Sequence, residues 1–163
     1  MIDSIEHGFF LDAEAIDMML QRETFFVPTL AALYHPIEAG TESGIPAFMI
    51  EKAKRAYDAH LDSFHRAREA GVRIAAGNDG GTPFNPADNL GSELARLVEA
   101  GMPPVEALAA AHGVAAELLR MSDQIGSVEP GKLADIVVLD ADPLVDVSAV
   151  GQVHIVIEAG QRI

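Results

Sequence analysis

The chain has 163 residues, 49% of them hydrophobic and 22% charged, enough to bury one core and unlike a disordered or fibrous composition. Eleven basic against twenty-five acidic residues leave a formal charge of -14, which repels phosphate backbones and anionic bilayers and so argues against nucleic acid or a membrane surface as partner. The absence of cysteine removes both a disulfide framework and a thiolate metal site.

No apolar run approaches the roughly 18 residues that would span a bilayer. The opening Met-Ile-Asp-Ser-Ile-Glu-His has neither the basic nor the apolar region of a secretory signal, so a cytoplasmic location is expected. From Ile2 the chain enters what reads as a strand already under way, ending at Glu6-His7-Gly8. Asp12 is placed to cap a helix reaching about Arg22, with Glu14 in its first turn and Ala15, Ile16, Met19 and Leu20 on its apolar side. Thr24 to Leu30 reads as a short buried strand, with Pro28 where no ladder hydrogen bond is needed. Residues 31–45, with Tyr34, His35, Pro36 and two glycines, read as a long connection of the kind that forms lids or substrate walls.

Pro46 opens the longest predicted helix, in which Phe48, Met49, Ala53, Tyr57, Leu61 and Phe64 recur at spacings of three and four down to Gly71. His60 lies beside this stripe and His65 near its edge, and both are read as packing or solvent-facing residues. Val72-Arg73-Ile74-Ala75-Ala76 is a strand running straight into Gly77-Asn78-Asp79-Gly80-Gly81, which puts one carboxylate at a strand's C-terminal tip. Helices are predicted over residues 91–100, 105–111 and 114–121, with Gly101 stopping the first and His112 marking a structural break between the others. From Gly126 the character changes to turns and strands without helices, including residues 134–140 and 153–158, where His154 has a surface or packing role.

Two residues combine a metal-competent side chain with a predicted strand tip, His7 and Asp79. An imidazole and a carboxylate both suit a divalent cation, and a carboxylate can also take a proton from an attacking water. Two ligands do not complete a site, and there is no His-x-His, no cysteine and no strand lysine to join them.

Read together, Ser4-Ile5-Glu6-His7-Gly8, Phe26-Val27-Pro28-Thr29-Leu30, Ala70-Gly71-Val72-Arg73-Ile74-Ala75-Ala76-Gly77-Asn78-Asp79, Met102-Pro103-Pro104-Val105-Glu106-Ala107-Leu108, and the run from Ile125 through Pro130-Gly131-Lys132 to Leu139 carry a resemblance. The sequence resembles the amidohydrolase superfamily, within it the imidazolonepropionase-like and Xaa-Pro dipeptidase-like branch. The resemblance implies an α/β fold: the C-terminal part, about strands six to eight, of a TIM (β/α)8 barrel over residues 1–124, with residues 125–163 in a small composite β-sandwich. It makes His7 a metal-associated histidine and Asp79 both a metal ligand and the proton shuttle of hydrolysis, with one or two divalent ions, Zn2+ first among them. The family's other ligands are expected to lie before Met1. Asn78 stands where the family usually has threonine, and Ala111-His112 where threonine or asparagine often sits.

A complete barrel takes roughly 250 residues, so the expected identity is a C-terminal portion without turnover of its own. The parent activity would be hydrolysis of an amide, peptide or cyclic C–N bond in a small-molecule or peptide substrate. Tyr34, His35, Thr82 and Asn85 are candidates for contacting that substrate, and a plain loop role is the alternative for each. A half-barrel subunit or binding module completed by another polypeptide is the alternative for the whole chain, because open strand edges favour pairing or aggregation, and a homo-oligomer or an N-terminal half is its expected partner. A phosphate-binding glycine loop at residues 77–81 is disfavoured, since no Gly-x-Gly-x-x-Gly or Walker pattern is present.

Overall fold

In the computed structural model, which describes residues 2–82 and 84–163, three parallel backbone segments lie side by side. β1 (Ser4–Glu6) pairs with β2 (Phe25–Val27), and β2 is bridged on its other side to Ile74, where the Phe26 amide donates to the Arg73 carbonyl and the Ala75 amide to the Phe26 carbonyl, each at 2.9 Å. Phe25, Phe26 and Val27 are all buried, as a central parallel strand covered on both faces requires. Pro28 follows the last ladder residue, where its missing N–H costs nothing.

The helices start and stop where side-chain chemistry lets them. α1 (Ala13–Gln21) is capped by Asp12, whose carboxylate accepts from the Ala15 amide at 2.8 Å, and it buries Ile16 and Met19. α3 (Ala47–Ala70) follows Pro46 and ends at Gly71, whose φ of 88° only glycine adopts without strain. α4 (Leu90–Glu99) is capped by Asn89 through the Ser92 amide at 3.1 Å. α5 (Pro104–Ala111) and α6 (Gly113–Leu118) are separated at His112, whose Nδ1 lies 2.8 Å from the Leu108 carbonyl, so the ring serves the end of α5.

Two elements differ from expectation. Leu30–Ala39 is a helix, α2, where proline and glycine content pointed to a long connection. Its first turn is apolar, with Leu30 and Ala31 buried, and Pro36 comes late enough that most of the helix forms before the proline interrupts the ladder. The third parallel strand is also shorter than residues 72–76 suggested, reduced to the single bridge at Ile74.

Phe26, Leu30, Phe64 and Leu97 form the centre of the core, joined by Met19, Val72, Ile74, Leu94 and Met102. The remaining sheet is antiparallel and separate: β3 (Ile136–Leu139), β4 (Val153–Glu158) and β5 (Gln161–Arg162) in that order. β4 and β5 are joined by Ala159-Gly160, both at positive φ, the conformation a two-residue hairpin with native twist demands. Among the described residues no helix is long and apolar enough to cross a membrane.

Candidate active site

The parallel arrangement brings His7, Thr29 and Asp79 to the same end of three adjacent segments, the end from which the chain leaves each strand. His7 and Asp79 are not immediate neighbours: β2 runs between their strands, and Thr29 follows its tip. All three residues are left-handed, with φ of 64°, 56° and 50°. For non-glycine residues, and above all for a β-branched threonine, this backbone is strained and persists where the surroundings hold it.

His7 is held from several directions. Its amide continues the ladder to the Val27 carbonyl at 2.9 Å, and its Nδ1 lies 2.7 Å from the Thr29 hydroxyl. That hydroxyl also lies 2.6 Å from the Pro28 carbonyl. The imidazole stacks on Phe9, with ring centres 5.8 Å apart, and Phe9 meets His60 edge-on at 4.5 Å. Gly8 permits the turn, since a Cβ there would stand 2.7 Å from the Phe26 ring. His60, reaching in from α3, is fully buried, and neither ring nitrogen has a hydrogen-bond partner among the described residues. Burial pushes its pKa down to about 4, against a smaller opposite pull from the nearby backbone of Pro28 and His7, so the ring is neutral.

Asp79 sits on a loop folded back on itself. Gly77 lets the chain pass close to β2, where a Cβ would be 2.9 Å from the Val27 side chain, and a Cβ on Gly80 would collide with the Ala87 backbone. Asn85, fully buried, donates from Nδ2 to the carbonyls of Asn78 at 2.6 Å and Asp79 at 3.2 Å, and so ties the strand tip to the far side of the loop. Thr82 pairs with Asn85 across this turn. The Asp79 side chain is exposed, and its carboxylate makes no hydrogen bond among the described residues.

Tyr34 and His35 lie on α2 and not on a loop, because the helix extends through them. Tyr34 donates to Glu38 at 3.1 Å and carries the Arg96 guanidinium 3.9 Å above its ring, while His35 Nε2 meets the Ser92 hydroxyl at 2.7 Å. These contacts fasten α2 to α4. A cavity of about 800 Å³ lies elsewhere, between α4, α5 and the antiparallel sheet, lined by Leu94, Leu108, His112, Ile136 and Val150.

Sequence reasoning does not select Thr29, His60 or Glu93 as site residues: His60 reads as a packing or solvent-facing residue and Thr29 only as part of a motif. Glu93 is fully buried on α4, and its two oxygens accept from the Leu30 amide at 3.0 Å and the Ala31 amide at 2.8 Å. Its only local sign is its place in the apolar stripe of Leu90, Leu94 and Leu97, where a charge is out of pattern. In donor chemistry His7 and Asp79 suit a divalent cation, but among the described residues no group of three or more histidine, aspartate or glutamate side chains is placed to hold one.

Comparison with known proteins identifies the family. The Amidohydrolase family model matches residues 1–163. Ochratoxinase of Aspergillus niger is 30% identical over 148 residues, which cover 88% of this chain and 29% of the relative. A Xaa-Pro dipeptidase crystallised with methionine in its active site superposes with a TM-score of 0.85 at 37% identity, over 99% of this chain and 39% of its own. A Bifidobacterium longum protein described as a prolidase reaches a TM-score of 0.90 at 38% identity, over 99% of this chain and 42% of its own. The chain thus spans well under half the length of the relatives it matches. With the family model matching from the first residue to the last, and both superpositions extending over nearly the whole chain, the protein belongs to the amidohydrolase family.

Proposed function

We propose that this chain contributes strands and helices to the (β/α)8 barrel of a metal-dependent amidohydrolase that cleaves an amide, peptide or cyclic C–N bond in a small-molecule or peptide substrate. Residues 1–124 supply the barrel part and residues 125–163 the strands of a small β-layer. The observation that carries this reading is the convergence of His7 and Asp79 on one end of parallel segments, the end where barrel enzymes keep their reacting groups. His7 and Asp79 would hold a divalent cation, with Zn2+ the first candidate, together with donors from polypeptide beyond these 163 residues. When bound, the cation supplies Lewis-acid polarisation of the scissile carbonyl.

The part played by this chain is proton handling and ligand orientation. Asp79, exposed and without an internal partner, can take a proton from the attacking water as the oxygen bonds to the carbonyl carbon. It can return that proton to the departing nitrogen as the C–N bond breaks, so that one water is consumed and one amine and one acid are released. His7, with its ring held by Thr29 and Phe9, has Nε2 without a hydrogen-bond partner among the described residues. Dipeptides ending in proline are the first substrates to try, because relatives described as Xaa-Pro dipeptidase and prolidase superpose on the chain.

The test is complementation: the missing N-terminal part of a Xaa-Pro dipeptidase relative, fused ahead of or co-expressed with this chain, assayed with and without Zn2+. Metal-dependent hydrolysis is expected from the assembled protein and none from the 163 residues alone. D79N in the assembled protein is expected to lower kcat by about 10²–10⁴-fold, the usual contribution of a positioned acid–base group. An active assembly that D79N leaves unchanged would refute the assignment. A second reading, a half-barrel subunit completed by a separate chain, draws on the outer edge of β1, which has no strand partner among the described residues, and a stable heteromer in mass measurement would support it.

A further inference from the structure

Thr29 stands at the N-cap of α2, a position where a threonine hydroxyl ordinarily accepts from the helix's own first-turn amides. It does not do so here: its backbone is left-handed and its hydroxyl is engaged with His7 Nδ1 at 2.7 Å and the Pro28 carbonyl at 2.6 Å. Of the two amides an N-cap hydroxyl can reach, that of Ala32 donates to the Thr29 carbonyl and that of Ala31 is taken by the buried carboxylate of Glu93, which reaches across from α4 and accepts from Leu30 as well. One carboxylate thus does the capping that frees one hydroxyl.

The hydroxyl has a single proton, and the two groups around it decide where it goes. A carbonyl oxygen can only accept, so the proton points to Pro28, and the Thr29 oxygen then accepts from His7. This requires the imidazole proton to be on Nδ1 and leaves the Nε2 lone pair free. Without this bond an imidazole favours the opposite tautomer, with Nε2 protonated and unable to ligate.

We propose that Thr29 and Glu93 are positioning residues for His7: Glu93 caps α2 in place of Thr29, and the freed Thr29 hydroxyl holds His7 as the Nδ1–H tautomer with Nε2 available. The inference rests on the reading that His7 acts through Nε2, and it identifies what makes that nitrogen competent. Neither residue touches the reacting atoms, and each acts through its neighbour.

The test is nitrogen-15 NMR of the imidazole rings in the metal-free 163-residue chain at mildly alkaline pH, with His7 assigned by its loss in H7N. The wild-type chain is expected to hold His7 in the Nδ1–H form by about tenfold or more, the effect of one retained hydrogen bond. T29V, which keeps the shape and removes the hydroxyl, is expected to shift His7 to the Nε2–H form, and T29S to restore the wild-type signal. E93Q, which presents an amide group to one of the two helix amides, and E93D, which cannot span both, are each expected to shift His7 in the direction of T29V while retaining cooperative melting.

A wild-type His7 in the Nε2–H form overturns the proposal, as does a folded E93Q or E93D whose His7 is indistinguishable from wild type. If neither Glu93 variant folds, that residue is a determinant of the fold and its positioning role falls. Because no metal is present, the result is independent of the complementation assay: a non-metal enzyme with the Nδ1–H tautomer, or a metal enzyme without this relay, would each be recognised.

Discussion

Glu93 is a carboxylate whose water has been replaced by two amide protons at the start of a neighbouring helix. Burial pushes its pKa up to about 7 from 4.5, outweighing the Ala31, Leu30 and Thr29 amides and the Arg96 charge that pull the other way. The folded chain therefore keeps this proton at pH values where the unfolded chain has lost it. Its contribution to stability is complete below about 4.5 and is lost as the pH rises through about 7, an effect of no more than about 3 kcal/mol. Urea midpoints measured from pH 4.5 to 8 should fall more steeply for the wild-type chain than for E93Q; parallel curves would show that Glu93 titrates as it does in the unfolded chain. The sequence could place His7 and Asp79 beyond strand ends because each stands beside a glycine, a local signature. Thr29 and Glu93 act through contacts 22 to 63 residues apart in the chain, and nothing in a local pattern marks a threonine relieved of its capping duty by a distant carboxylate.

At the scale of elements, α2 illustrates how composition misleads. Pro36 with Gly40 and Gly44 reads as a connection, yet the first six residues from Leu30 to His35 are free of breakers and are anchored at both flanks, by Glu93 at the first turn and by Arg96 and Ser92 along the side. Tertiary capping overrides propensity here. Pro36 still costs the helix one amide and crowds the Ala32 carbonyl, while stiffening the unfolded chain by a smaller amount. P36A should therefore stabilise the chain by about 1–2 kcal/mol in urea denaturation. No change, or a loss, would mean that the kink is needed for α2 to reach α4. The other helices were legible to within a residue or three, because Asp12, Pro46, Gly71 and Pro104 are local punctuation that the structure uses as such.

For the whole molecule, the parallel segments end at β1 on one side and at the single bridge of Ile74 on the other, so both margins have backbone groups without a strand partner among the described residues. The C-terminal region adds exposed apolar side chains, among them Val137 on β3, Val145 in the loop after it and Ile163 following β5, the last two at 85% and 73% of full exposure. Open edges and apolar surface together favour self-association. Sedimentation of the isolated 163 residues should show mass rising with concentration, and the assembled protein of the complementation test should not; a strictly monomeric isolated chain would count against the open-edge picture. The three left-handed residues at the strand tips have a consequence of another kind. Glycine would relieve about 1–2 kcal/mol of left-handed strain at 7, 29 and 79, but at 7 and 29 it would also remove the contacts of those side chains; at exposed Asp79 nothing opposes the gain, so a library screened for heat tolerance alone would drift to glycine there. On the proposed role of Asp79 as proton shuttle, the most robust clones from such a screen would be chemically mute, and freezing that codon is what would keep hardiness and usefulness from being selected apart.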